Sequence, residues 1–130
     1  MTTDQNNDRT VLEITGEDRV KFLQDLVTND LGRMADGLVY AALLSPQGKY
    51  LFDFFVFARG ATIYIDVASD RATALAQRLT MYRLRAKVGI AASDLLVSRG
   101  LGTPPSDAMP DPRHPALGWR LYSETLHPVE

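Results

Sequence analysis

Apolar residues recur along this chain in two rhythms, and the rhythms divide it into strands and helices. Ile63, Ile65 and Val67 alternate with Thr62, Tyr64 and Asp66, which predicts a strand over 62–67 with one face on a core. Arg59-Gly60 is a tight hairpin turn before it, so 49–57 is the partner strand. Leu38–Leu44 is a further strand, joined through Ser45-Pro46-Gln47-Gly48, where proline presets the first bend and glycine closes it. Thr10–Ile14 supplies a short first strand. Helical spacing appears twice. Val20, Leu23 and Val27, supported by Phe22 and Leu26, follow Thr15-Gly16-Glu17-Asp18, with Thr15 and Asp18 spaced like a capping box, and Asn29-Asp30-Leu31-Gly32 ends that helix. Ser69-Asp70 caps a second helix whose stripe is Ala72, Leu75, Ala76, Leu79 and Tyr82. Strands over 86–90 and 93–101 follow. The order β-α-β-β-β-α-β-β predicts an α+β fold, an antiparallel sheet with two helices packed on it.

The pattern then breaks. Five of the seven prolines fall between Pro104 and Pro115, which reads as a loop or linker. The predicted organisation is a disordered lead-in over 1–9, an α+β domain over 10–101, a Pro-rich linker over 102–116, and a terminal strand and tail over 117–130. A strand this short after a linker is an odd way to finish a domain. It reads as the start of a later half beyond this chain, or as a strand that docks back onto the sheet.

Composition narrows the function classes. The 130 residues carry a net charge of −2, so nothing draws the chain to nucleic acid or anionic lipid. There are no cysteines, hence no disulfide, thiolate nucleophile or sulfur metal site. No apolar run has membrane length, and the polar start lacks a signal-peptide core, so a soluble cytoplasmic protein is the expectation. His114 and His127 stand in proline-containing tail segments without metal-ligand spacing, and no metal site is predicted. Gly48-Lys49 lacks the glycine five residues earlier that a P-loop needs, and no G-x-G-x-x-G occurs. A serine triad would have to recruit a tail histidine.

What chemistry remains centres on Asp53. In Tyr50–Phe57 seven of eight residues are apolar or aromatic, so the strand reads as buried on both faces or nearly so. A carboxylate there needs a partner. Backbone N–H groups or an arginine such as Arg85 would make it structural, whereas a ligand would make it functional. Tyr40 shares that ambiguity, because a tyrosine on one face with Ala42 and Leu44 suits packing or a stacked aromatic ligand. Arg83, Arg85 and Lys87 alternate, so on a strand they share a face, either as a solvated edge or as a cradle for an anionic ligand tail.

Four segments carry a family resemblance. Thr15–Asp18 with Phe22-Leu23-Gln24 and Leu26–Asp30 resembles the opening of the folate-binding YgfZ family, relatives of the glycine-cleavage T protein, an aminomethyltransferase. Tyr40–Val56 resembles the family's most typical segment. Tyr82–Val88 resembles its helix-to-strand junction, and Asp111-Pro112-Arg113 with Leu117-Gly118-Trp119-Arg120 the stretch before its later half. The resemblance implies that Asp53 matches an acid lying against folate that assists one-carbon transfer, and that Tyr40 lines the same pocket. Tetrahydrofolate, or a one-carbon derivative, is the implied cofactor. Phe52-Asp53 stands where the T protein has two adjacent acids, which favours the YgfZ-like branch, associated with iron–sulfur cluster assembly or repair. The implied partners are folate and iron–sulfur proteins or their assembly machinery. That branch's cysteine motif, in its later half, has no counterpart here, which leaves any enzymatic activity open. Two alternatives stand beside this reading: a folate-dependent aminomethyl transferase with Asp53 as proton acceptor, and a non-catalytic module that homodimerises through its sheet.

Overall fold

The computed structural model describes residues 8–124 and is α+β, as the patterning predicts. Its elements are β1 (Arg9–Thr15), α1 (Arg19–Gln24), β2 (Val39–Leu44), β3 (Tyr50–Arg59), β4 (Thr62–Ala68), α2 (Ser69–Arg83), β5 (Gly89–Ala92), β6 (Leu96–Gly100), β7 (Met109–Pro110) and β8 (Trp119–Ser123). Short 3-10 turns cover Leu31–Arg33 and Pro115–Leu117. A five-stranded antiparallel sheet runs β2-β3-β4-β1-β5, and a second, three-stranded sheet runs β6-β8-β7.

The main sheet is apolar on both faces, and this dictates three layers. On one face Ile14, Leu43, Phe54, Ile63 and Ile65 pack with Phe22 and Leu23 of α1 and with Leu75 and Leu79 of α2. On the other, Val11, Phe55 and Phe57 need cover, and the small sheet supplies it through Val97 and Tyr122. Phe57 and Tyr122 meet ring to ring at 4.4 Å. The strand 119–123 thus does not join the main sheet; it lies across the main sheet's second face. The stretch 102–116 contains β7 and the Pro115–Leu117 turn, and Asp111 N–H bonds to the Gly118 carbonyl at 2.9 Å. Gly118 sits at φ +83°, where a Cβ would run into the Gly100 carbonyl oxygen, so only glycine lets β8 approach β6 there.

Several local expectations are corrected. The first helix ends at Gln24 rather than at Asn29-Asp30, because polar side chains beyond it bond backbone elsewhere. Thr28 Oγ1 accepts from Ala42 N–H at 3.0 Å, Asn29 Nδ2 donates to the Tyr40 carbonyl at 3.0 Å, and Val27 bridges Leu43. Val20 is accordingly exposed. The Thr15/Asp18 capping box does not form, since Asp18 Oδ2 accepts from Lys87 N–H at 2.8 Å and neither helix has a side-chain cap. The strand expected over 86–90 begins only at Gly89. Arg83 ends α2 and Arg85 and Lys87 lie in the connection, so the three share no strand face. Arg9, placed in the lead-in, opens β1, and residues 1–7 lie outside the described ones.

Candidate functional site

Strand register builds the site. Residues directly opposite one another on the main sheet's second face form the row Tyr40–Phe55–Asp66–Val11. Asp53 stands two residues before Phe55 on β3, opposite Ala42, so Tyr40 and Asp53 are diagonal neighbours within reach of a long side chain. The Tyr40 hydroxyl donates to Asp53 Oδ2. The loop after α1 braces this arrangement, since Thr28 and Asn29 hold β2 from beneath at Ala42 and Tyr40.

Asp53 is half-buried rather than enclosed; only Phe54–Phe57 of its strand are buried on both faces. Its partners are tyrosines. Burial, then the hydrogen bond and charge of Asp53, push the Tyr40 hydroxyl up to about 12. Tyr50, 57% exposed, is raised by burial and then by the same carboxylate. Arg85 is not the partner: it lines a separate cleft with Asp18, Lys21 and Tyr82, and among the described residues forms no ion pair with Asp53.

The enclosed acid is Asp66, which period-two reading placed on the polar face of its strand. Its exposure is 0%, and it lies between the two sheets. Arg9 Nε donates to Oδ1 at 2.7 Å; Arg120 Nη2 and the Tyr122 hydroxyl donate to Oδ2 at 2.8 and 2.6 Å. Burial works against the Arg120 charge, yet Asp66 and Tyr122 keep its pKa raised, and burial followed by Asp66 holds Tyr122 well above its ordinary value. This network satisfies its own polar groups and joins the layers. The available signal was the apolar Phe55 and Phe57 on the same face, which required that face to be covered.

A cleft of about 700 Å³ opens beside Tyr40, between the start of β2 and the loop after β7. Arg33, Gly37, Tyr40, Pro112 and Arg113 are among its lining. Arg113 lies over the Phe55 ring at 4.9 Å and the Tyr40 ring at 5.4 Å. Asp111 accepts from Arg113 Nε and Nη2 at 3.0 and 2.7 Å and from its backbone N–H at 2.9 Å. Burial alone would raise Asp111, but those Arg113 contacts bring its carboxyl below the usual value. His114 Nδ1 accepts from Ala116 N–H at 3.0 Å, a turn-capping role, and His127 lies outside the described residues. Among the described residues no three His, Cys, Asp or Glu side chains group as metal ligands, and no helix is long and apolar enough to cross a membrane.

Known proteins resemble this chain in sequence and in fold. No family model matches it. An iron–sulfur cluster assembly factor IBA57 homolog, mitochondrial, from Pyricularia oryzae is 27% identical, covering 92% of this chain and 35% of its own length. The protein of the same description from Mycosarcoma maydis is 30% identical over 86% of this chain and 34% of its own length. Among solved structures, the glycine cleavage system aminomethyltransferase T from Bartonella henselae superposes with a TM-score of 0.64 at 15% identity, over 71% of this chain and 26% of that one. The chain spans about a third of the length of these curated relatives. Both the resemblance to YgfZ-like relatives of the T protein and the T-protein fold are therefore borne out. The cytoplasmic expectation is corrected, because these relatives are mitochondrial proteins. Charge and the lack of a long apolar run read alike for either compartment, so they had no power to choose.

Proposed function

We propose that this chain, related to IBA57-type proteins over about a third of their length, forms the front wall of a tetrahydrofolate site in an iron–sulfur cluster assembly factor. The observation that supports this best is the Tyr40–Asp53 pair, a half-exposed acid bonded by a tyrosine hydroxyl beside an open cleft. The donor set fits the cofactor. A pterin offers ring N–H and amino donors, which a carboxylate with acceptor capacity left beyond its tyrosine partners takes as hydrogen bonds. Tyr40, raised to about 12, stays protonated and a donor at neutral pH, which keeps Asp53 the acceptor of the pair. Bound tetrahydrofolate would supply its N5 and N10 nitrogens, which carry a one-carbon unit. Tyr40, tilted at 53° to the buried Phe55 with centroids 5.3 Å apart, gives the cleft an aromatic side. The relatives' description as assembly factors favours this reading over an aminomethyl transferase or a dimerising module. The client iron–sulfur proteins, or the machinery that serves them, are the proposed partners.

Calorimetric titration of folinic acid, a stable reduced folate, into the wild-type chain and Asp53→Asn tests the reading. Micromolar binding that the substitution weakens tenfold or more, about 1.4 kcal/mol, is expected. Equal affinity for both proteins would remove Asp53 from the site.

A further inference from the structure

The Asp111–Arg113 pair is built in an unusual direction. Asp111 has a side chain 1% exposed, whereas its partner Arg113 is 40% exposed. A surface arginine gains little stability from an ion pair, so burying an acid to hold one is a poor structural device. What it does achieve is a fixed guanidinium. Three donors of Arg113 converge on Asp111, and its plane lies over Phe55 and Tyr40. Among the described residues Nη1 donates to nothing, and the open cleft lies beside it. Raised first by the Asp111 hydrogen bond and also by the charges of Asp111, Tyr40 and Asp53, Arg113 belongs electrostatically to the same site.

We propose that Arg113 is a third binding residue of the Tyr40–Asp53 site, taking a carbonyl or carboxylate oxygen of the ligand, and that Asp111 is its positioning residue. This rests on the folate reading and names the polarity of the site's other end: Asp53 meets donors, Arg113 meets an acceptor. A guanidinium already bonded on one side loses little freedom when its other side engages a ligand. The acids of the cleft leave Arg113 this role. Asp30 is committed to Gly32 N–H at 2.8 Å, and Asp36 is exposed at the cleft's edge beside a second cation, Arg33. The acceptor oxygen is either the pterin carbonyl or a carboxylate of the glutamate tail, and a shortened ligand distinguishes them.

Folinic acid and dimethyltetrahydropterin, which lacks the aminobenzoyl-glutamate tail, are titrated into the wild-type chain, Arg113→Lys and Asp111→Asn, with melting curves on each sample. Arg113→Lys retains an ion pair with Asp111 but has no second edge to offer, so folinic acid binding falls tenfold or more while the melting temperature holds. Asp111→Asn weakens it as well, with Arg113 still present. A parallel fall for dimethyltetrahydropterin assigns the oxygen to the ring; a fall for folinic acid alone assigns it to the tail. Wild-type affinity in Arg113→Lys, with Asp53→Asn still impaired, overturns the proposal and leaves the folate reading intact. A melting temperature that drops along with affinity in Arg113→Lys makes the arginine structural and also overturns it. Absence of any heat with the wild-type chain sinks both.

Discussion

Burial and the neighbouring Asp53 hold the Tyr40 hydroxyl protonated, and that effect is measurable on a single residue. Tyr40 has its folded pKa raised from 10 to about 12. A raised acid contributes stability that is complete below pH 10 and lost as pH climbs through its folded value. Ultraviolet titration of tyrosinate, wild type minus Tyr40→Phe, is therefore expected to show this hydroxyl ionising near pH 12; a midpoint near 10 would show that Asp53 does not press on it. Asp53→Asn keeps an acceptor for the hydroxyl, so its cost to folding is small, within about 1 kcal/mol. A loss of several kcal/mol would mark Asp53 as a structural acid after all. Both residues were legible in the sequence, Asp53 as the lone acid in the apolar run Tyr50–Phe57 and Tyr40 as an aromatic on a strand face with Ala42 and Leu44. Their direct contact was not, since only the register of β2 on β3 makes them diagonal neighbours.

At the scale of elements, a buried charge joins the apolar packing that holds the second sheet on the first. Asp66 is buried with Arg9 and Arg120 at 2.7 and 2.8 Å. Asp66→Asn leaves two guanidinium groups short of an anion between the layers, and equilibrium denaturation should show a loss of about 3–5 kcal/mol. A loss below about 1 kcal/mol would mean that water reaches the pair. Gly118→Ala forces a Cβ against the Gly100 carbonyl at positive φ, straining the β6–β8 junction by roughly 1–3 kcal/mol. That variant is expected to bind a hydrophobic dye more strongly as Phe55 and Phe57 lose cover; unchanged dye binding would contradict the cover's role. Strands β2 to β4 and helix α2 were legible because each carries its own periodicity and turn residues. The short α1 was not. Gln24 spends its side chain on the Asn29 carbonyl and the Leu31 N–H, at 2.8 and 2.7 Å, a tertiary contract that helical spacing does not record. The Arg83–Lys87 alternation failed for a related reason. Asp18 pins Lys87 to the start of α1 through both its side chain and its backbone N–H, and Leu84 turns the chain at φ 45°, so the segment is a corner rather than a strand.

For the whole molecule, three layers place one polar row where the main sheet's second face is only partly covered. Helices close the first face, and the small sheet closes the second over Phe57 while Asp53 and Tyr40 stay half-open. That opening was not readable from the pattern, because the Pro-rich stretch 102–116 carries the loop that brings Arg113 over Tyr40, and proline spacing encodes no destination. The relatives are about three times as long as this chain. The proposed folate face is that of Tyr40, Asp53 and Arg113, not the corner at Arg83–Lys87. The most direct test is an amide correlation spectrum of the isotope-labelled chain titrated with folinic acid. Shifts concentrated at Tyr40, Ala42, Asp53 and Arg113, with 83–88 unmoved, are expected. Shifts gathered at 83–88, or a spectrum that folinic acid leaves unchanged, would contradict that placement of the folate face.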